Sequence, residues 1–148
     1  MDRRITMIIQ NEEFINIRQR FMESFLDTSS DDLHKDYFNN RILKTFDGLF
    51  YTGYFWDIFK NPKIVDEEEI FNYLNKLSSN IYVLWDNNIY CRDVKYPYFS
   101  VLKISCQEFK SILPSLPLDY YLFDESFSWV FALTHEDIGG KRYCVTMA

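Results

Sequence analysis

Thr134-His135-Glu136 ends the stretch "YYLFDESFSWVFALTHED", residues 120–137, and sets an imidazole beside a carboxylate at the end of an apolar run. That pair is the minimum equipment for general acid–base catalysis. Whether the two groups cooperate depends on the element that carries them. Counting by twos from Trp129 puts Phe131, Leu133 and His135 on one strand face, and Val130, Ala132, Thr134 and Glu136 on the other. His135 and Glu136 then diverge, so a carboxylate for His135 must come from elsewhere. Asp124 or Glu125, across the preceding turn, are the nearest in sequence. The competing reading makes His135 a strand-end residue that satisfies loop backbone groups.

Other catalytic parts are scarce. There is no GxSxG elbow, no HExxH and no CxxC, and Cys91, Cys106 and Cys144 each lie in or beside a regular element. The second histidine, His34, sits among Asp31, Asp32 and Lys35, the composition of a solvated helix face. No glycine-rich phosphate loop is present, and Gly139-Gly140 has the context of a hairpin turn. The expectation is a protein that is not an enzyme and uses no cofactor or metal.

Acidic residues are the more abundant chemistry. They gather at Asp31-Asp32, at Asp66, Glu67, Glu68 and Glu69, at Asp124-Glu125 and at Glu136-Asp137. Each cluster has a structural use, the first two at helix starts and the others at turns. Together they accompany a net charge of −6 and an aromatic content of 19%, with nearby aromatics such as Tyr54, Trp56, Tyr96 and Tyr98 adding contact area. Such a surface repels phosphate backbones and suits a basic protein. Asp66, Glu67, Glu68, Asp124, Glu125, Glu136 and Asp137 are therefore the candidate partner-binding residues, with His135 and Asp124 as an alternative site.

The elements that must position these groups divide the chain. "NEEFINIRQRFMESFLD" is a helix whose Phe14, Ile17, Phe21 and Phe25 form an apolar stripe, begun by Asn11, Glu12 and Glu13. Arg18 falls inside that stripe, either snorkelling at its margin or buried against a carboxylate. A second helix is expected over "TSSDDLHKDYFNNRILKTFDG", with Gly48 as its stop, and a third over "VDEEEIFNYLNKLSS", with Asp66 and Glu69 as a capping pair. "LFYTGYFWDIFKNP" fits neither period, and Pro62 ends it. From residue 81 the period becomes two. "IYVLWD" and "IYCRDV" flank Asn87-Asn88 as a hairpin, "SVLKIS" adds a strand, and "SCQEFKSIL" is a short helix capped by Ser105 and Glu108. "DYYLFD", "WVFALTHE" and "RYCVTMA" close the chain as strands, the first two apolar on both faces and the last an outer strand with one wet face. The fold class expected is α+β: N-terminal helices on a mainly antiparallel sheet with one inserted helix. At 148 residues this is one domain, helical over about 11–78 and sheet over about 81–148. The start "MDRRITMIIQNEEF" lacks a signal-peptide core, and no run is long enough to span a membrane, so a cytoplasmic location is expected.

The residues Phe123-Asp124, Phe127, Trp129 and Thr134-His135-Glu136 form a pattern FDxxFxWxxxxTHE. It resembles the C-terminal signature of small bacterial domains of unknown function, with a weaker likeness from about residue 54 to 137. As a class, such small acidic α+β proteins are similar to the immunity proteins of contact-dependent and other polymorphic toxin systems. That resemblance implies an inhibitor that binds a cognate, basic toxin domain without catalysis; the acidic charge and the lack of a spanning run add the expectation of no nucleic-acid or membrane partner. The alternatives are a small enzyme or ligand-binding domain using His135 with Asp124 or Glu125, and a regulatory protein-binding adaptor.

Overall fold

Strands with apolar residues on both faces need cover on both faces, and this requirement organises the molecule. In the computed structural model, residues 7–9, 12–27, 42–45, 48–51, 54–86 and 101–147 are described. The strands are β1 (Met7–Ile9), β2 (Ile42–Thr45), β3 (Gly48–Tyr51), β4 (Pro62–Ile64), β5 (Asn80–Leu84), β6 (Val101–Ser105), β7 (Tyr120–Phe123), β8 (Phe131–Ile138) and β9 (Lys141–Met147). The helices are α1 (Glu12–Phe25), α2 (Glu67–Asn75) and α3 (Cys106–Ile112), with single 3-10 turns at Phe55–Ile58 and Leu113–Ser115. Seven strands form one antiparallel sheet in the order β1-β6-β5-β7-β8-β9-β4, and β2 pairs with β3 separately.

The alternation of side chains sorts the core into two layers. Tyr82 and Leu84 of β5, Tyr121 and Phe123 of β7, and Ala132 of β8 meet α1 and the Phe55–Ile58 turn on one side. Ile81, Val83, Leu122, Phe131 and Leu133 meet Ile70 and Leu74 of α2 and Phe109 and Ile112 of α3 on the other. The fold is thus α+β, with helices against both faces of a mainly antiparallel sheet and α3 inserted between β6 and β7. Among the described residues no helix is long and apolar enough to cross a membrane.

Several local expectations hold. Ser105 begins α3, its Oγ accepting the Glu108 N–H at 3.2 Å and donating to Glu108 Oε1 at 2.9 Å. Ser105→Ala is expected to lower unfolding free energy by about 1 kcal/mol, the usual cost of a lost N-cap, read from a urea titration. Gly139 and Gly140, at φ 63° and 82°, make the two-residue β8–β9 turn that needs positive φ. β7, buried at all four positions, is a central strand.

Others are corrected. Ile42–Thr45 is strand, not the end of a helix, and Gly48 begins β3 instead of stopping anything. β-branched Ile42 and Thr45 suit a short hairpin, and residues 28–41 lie outside the described residues. Pro62 starts β4, at the sheet edge, where a missing N–H leaves no ladder bond unmade. Asp66 occupies the N-cap of α2 without a side-chain hydrogen bond, so the capping pair with Glu69 does not form. β5 has β6 on one edge and β7 on the other, so it is not one arm of a tight hairpin; "IYCRDV" lies outside the described residues. β9 is flanked by β4, and its Cys144 and Val145 are buried on opposite faces, so it is not a one-sided outer strand. β1 and β4, both from the first half of the chain, form the two sheet edges.

Candidate functional site

Helix α1 lies across the sheet with Ile17, Phe21 and Phe25 inward, because those residues recur on one helical face. Glu13, Asn16 and Arg20, three and four residues apart, then line up along its flank. Facing them are Tyr82 of β5 and the β7–β8 connection, which carries Asp124, Glu125 and Phe127. Between these elements is an open groove of about 380 Å³, lined by Glu13, Ile17, Arg20, Tyr82, Glu125 and Phe127 among others.

The connection is built to present Phe127. Asp124 accepts hydrogen bonds from the backbone N–H of Ser126 at 2.9 Å and from its hydroxyl, and Phe127 N–H donates to the Asp124 carbonyl at 3.1 Å. Phe127 takes φ 52°, a left-handed conformation that is costly for an aromatic residue and survives only where the surroundings enforce it. Its ring meets Phe123 at 5.4 Å and Tyr82 at 6.4 Å, and the Arg20 guanidinium lies over it at 4.4 Å. Burial raises the Tyr82 hydroxyl pKa above 10, and the charges of Glu125, Glu13 and Asp124 raise it further. Three carboxylates therefore bear on one phenol, opposed by the single guanidinium of Arg20.

Beneath the same face is a polar cluster inside the core. Asp86, which follows β5, is 2% exposed. Its Oδ1 accepts from the Phe55 N–H at 2.7 Å and from the Tyr121 hydroxyl at 2.7 Å, while Oδ2 has no hydrogen-bond partner among the described residues. The Tyr121 oxygen accepts in turn from the Trp56 N–H at 3.1 Å. Burial drives the Asp86 carboxyl up to about 8, with the hydrogen bonds from Phe55 and Tyr121 and the charge of Arg18 opposing. Tyr121 is raised well above 10, by burial first and then by Asp86. Arg18 does not snorkel: it is 7% exposed, and its Nη2 donates to the Trp85 carbonyl at 3.0 Å. This cluster fixes the Phe55–Ile58 turn to β5 and β7.

The sequence-derived candidates fall in separate places. Glu125 lines the groove, and Asp124 stands beside it with its carboxylate turned to Ser126. Asp66 and Glu68 are exposed at the start of α2, on the other side of the sheet, and Glu67 is tied to Arg142 at 3.3 Å. Glu136 and Asp137 are exposed at the far end of β8.

His135 pairs with Asp119, not with Asp124 or Glu125. Its Nδ1 is 3.0 Å from both Asp119 oxygens, and its backbone N–H donates to Oδ1 at 2.9 Å. The reason is register: Tyr120 faces Leu133, so the residue before β7 meets the end of β8, and the 124–130 connection lies at the opposite end. The strand period also fails there. Between Leu133 and Asp137 the β8–β9 register shifts, and the His135 ring reaches Tyr54 at 5.4 Å, on the α1 side instead of the side of Phe131 and Leu133. Extra residues in one strand break the two-residue alternation in this way.

Among the described residues no group of three metal-ligating side chains is assembled. Cys106 and Cys144 are free, and burial pushes both thiols up, Cys144 to about 11. Raised thiol pKa values suit inert sulfur, not nucleophiles. Compared with known proteins, the chain matches no family, no curated protein and no solved structure.

Sequence reasoning missed the groove's other half. In the sequence Glu13 has the look of a helix-start acid, Arg20 and Tyr82 carry no distinguishing pattern, and Asp86 is only the polar end of a strand. Two charges in apolar settings, Arg18 in the α1 stripe and Asp86 at the end of "IYVLW", were the available signal for the buried cluster.

Proposed function

We propose that this protein is a non-catalytic inhibitor that binds a basic partner domain, in the manner of the immunity proteins of bacterial toxin systems. The observation that supports this is the groove: Glu13 and Glu125 line it together with the aromatic pair Tyr82 and Phe127, and the charge of Asp124 also bears on Tyr82, on a chain of net charge −6. Aromatic rings supply contact area and carboxylates steer a cationic partner into it. Mixing the protein with the purified toxin domain encoded by a neighbouring gene is expected to give a stable complex without toxin activity. The association rate should fall steeply as salt rises from about 0.05 M to about 0.5 M, because screening shortens the reach of surface charge. No complex with that domain, or equal rates at both salts, would reject the proposal.

A second reading has one observation in its favour. Asp119 holds the His135 Nδ1 from both oxygens and leaves Nε2 available, the orientation that a general base needs. Among the described residues no hydroxyl or thiol is bonded to that nitrogen. An activity that survives in Glu125→Gln and disappears in His135→Asn would favour this reading over binding.

A further inference from the structure

The groove has properties that select one kind of cation. Glu13 and Glu125 form no ion pair among the described residues, and they outnumber Arg20, the one cation in the groove's lining, while Asp124 next to Glu125 adds its charge at Tyr82. Its floor is aromatic and apolar, from Tyr82, Phe127 and Ile17. The chain's own guanidinium already uses that floor, since Arg20 lies 4.4 Å over the Phe127 ring.

We propose that the groove is an arginine-recognition site: it takes a guanidinium from the partner, stacked on the Tyr82–Phe127 floor and paired with Glu13 and Glu125. The proposal rests on the reading of this protein as a binder of a basic partner and names the group the partner presents. Arginine is preferred to lysine for physical reasons. A guanidinium is planar, weakly hydrated and able to stack on a ring while its edge donates to carboxylates. An ammonium is compact and strongly hydrated, and gains less from a half-apolar floor. Arg20 then has a definite role, as the internal occupant with which an incoming arginine competes for the Phe127 face.

The test uses blocked Gly-Arg-Gly and Gly-Lys-Gly tripeptides, titrated into the whole protein at low salt and followed through the ring resonances of Tyr82 and Phe127. The arginine peptide is expected to bind about threefold or more tighter than the lysine peptide, the scale of one exposed cation–π contact. Glu13→Gln with Glu125→Gln should weaken it about tenfold, as for two lost ion pairs at a half-open site. Arg20→Gln should strengthen the arginine peptide more than the lysine peptide, because it vacates a ring face as well as removing a charge. Equal affinity for the two peptides, or indifference to the double Gln variant, would overturn the proposal. So would an equal gain for both peptides in Arg20→Gln. Backbone amide spectra of each variant verify that the fold is intact. A protein that passes these tests but neutralises no toxin domain retains the arginine site and loses the inhibitor reading. One that neutralises a toxin domain equally well with Glu13→Gln and Glu125→Gln loses the arginine site alone.

Discussion

Asp86→Asn is expected to remove most of the pH dependence of stability between about pH 4 and pH 8, and to be more stable than the parent at the alkaline end. The cause is the depth of the carboxyl: burial lifts it from an ordinary 3.8 to about 8, so the folded protein carries it neutral where the unfolded chain carries it ionised. Folding at neutral pH then takes up a proton. The contribution of the neutral carboxyl is fully present below about pH 4 and is lost as pH rises through 8, at about 1.4 kcal/mol per pH unit for one proton. Across the whole window that is on the order of 5 kcal/mol, comparable to the total stability of a small domain. Asparagine keeps a carbonyl that can accept from Phe55 N–H and Tyr121 Oη–H, and has no proton to exchange. At pH 4 the variant should be equal to the parent or slightly weaker, because its amide N–H groups replace Oδ2, which has no partner among the described residues. Denaturant titrations at pH 5 and pH 8 decide the matter: parallel pH slopes in the two proteins would show that Asp86 is ionised in the folded state. Asp86→Ala serves as the contrast, since it orphans the Phe55 N–H and the Tyr121 hydroxyl and should be weak at both pH values.

The carboxyl that dominates this behaviour was written in the sequence in a form that periodicity does not score. "IYVLWD" reads as a strand with a polar end, and nothing local distinguishes an exposed terminal Asp from one sealed under a 3-10 turn thirty-one residues earlier. The layers were more legible, because β7 and β8 are apolar on both faces and α1 has one continuous stripe, and burial follows from those patterns alone. What defeated the strand reading of His135 was a register shift, a property of two strands together and not of either sequence. Ile42–Thr45 failed for a different reason: four residues hold too little of either period to choose between helix and strand. At the groove, the charged turn Asp124-Glu125 stands out in the sequence and contributes Glu125 to the lining, whereas Glu13 and Tyr82 acquire their meaning only when α1 is laid across β5.

That placement of α1 depends on one ring. Phe21 has no exposed surface, and its ring meets Phe25 at 5.1 Å, Phe55 at 5.6 Å, Tyr121 at 5.4 Å and Phe123 at 5.1 Å. It therefore joins α1 to the 3-10 turn and to β7 at the point where the buried carboxyl holds those two together. Phe21→Ala is expected to cost about 3–5 kcal/mol, through lost transfer energy and the cavity left among rings that cannot all close in. Phe21→Leu, which keeps most of the volume and loses the edge-to-face contacts, should cost about 1–2 kcal/mol. Urea unfolding separates the two variants. A difference below about 1 kcal/mol would mean that the neighbouring rings collapse into the space and that α1 is held by other contacts. The functional consequence follows from the same geometry. Glu13 and Arg20 reach the groove only because Ile17, Phe21 and Phe25 hold the adjoining face of their helix on the sheet. In Phe21→Leu, still folded, the groove's affinity for a cationic probe should fall although no groove residue has changed. Asp86→Asn, which leaves α1 in place, should keep that affinity.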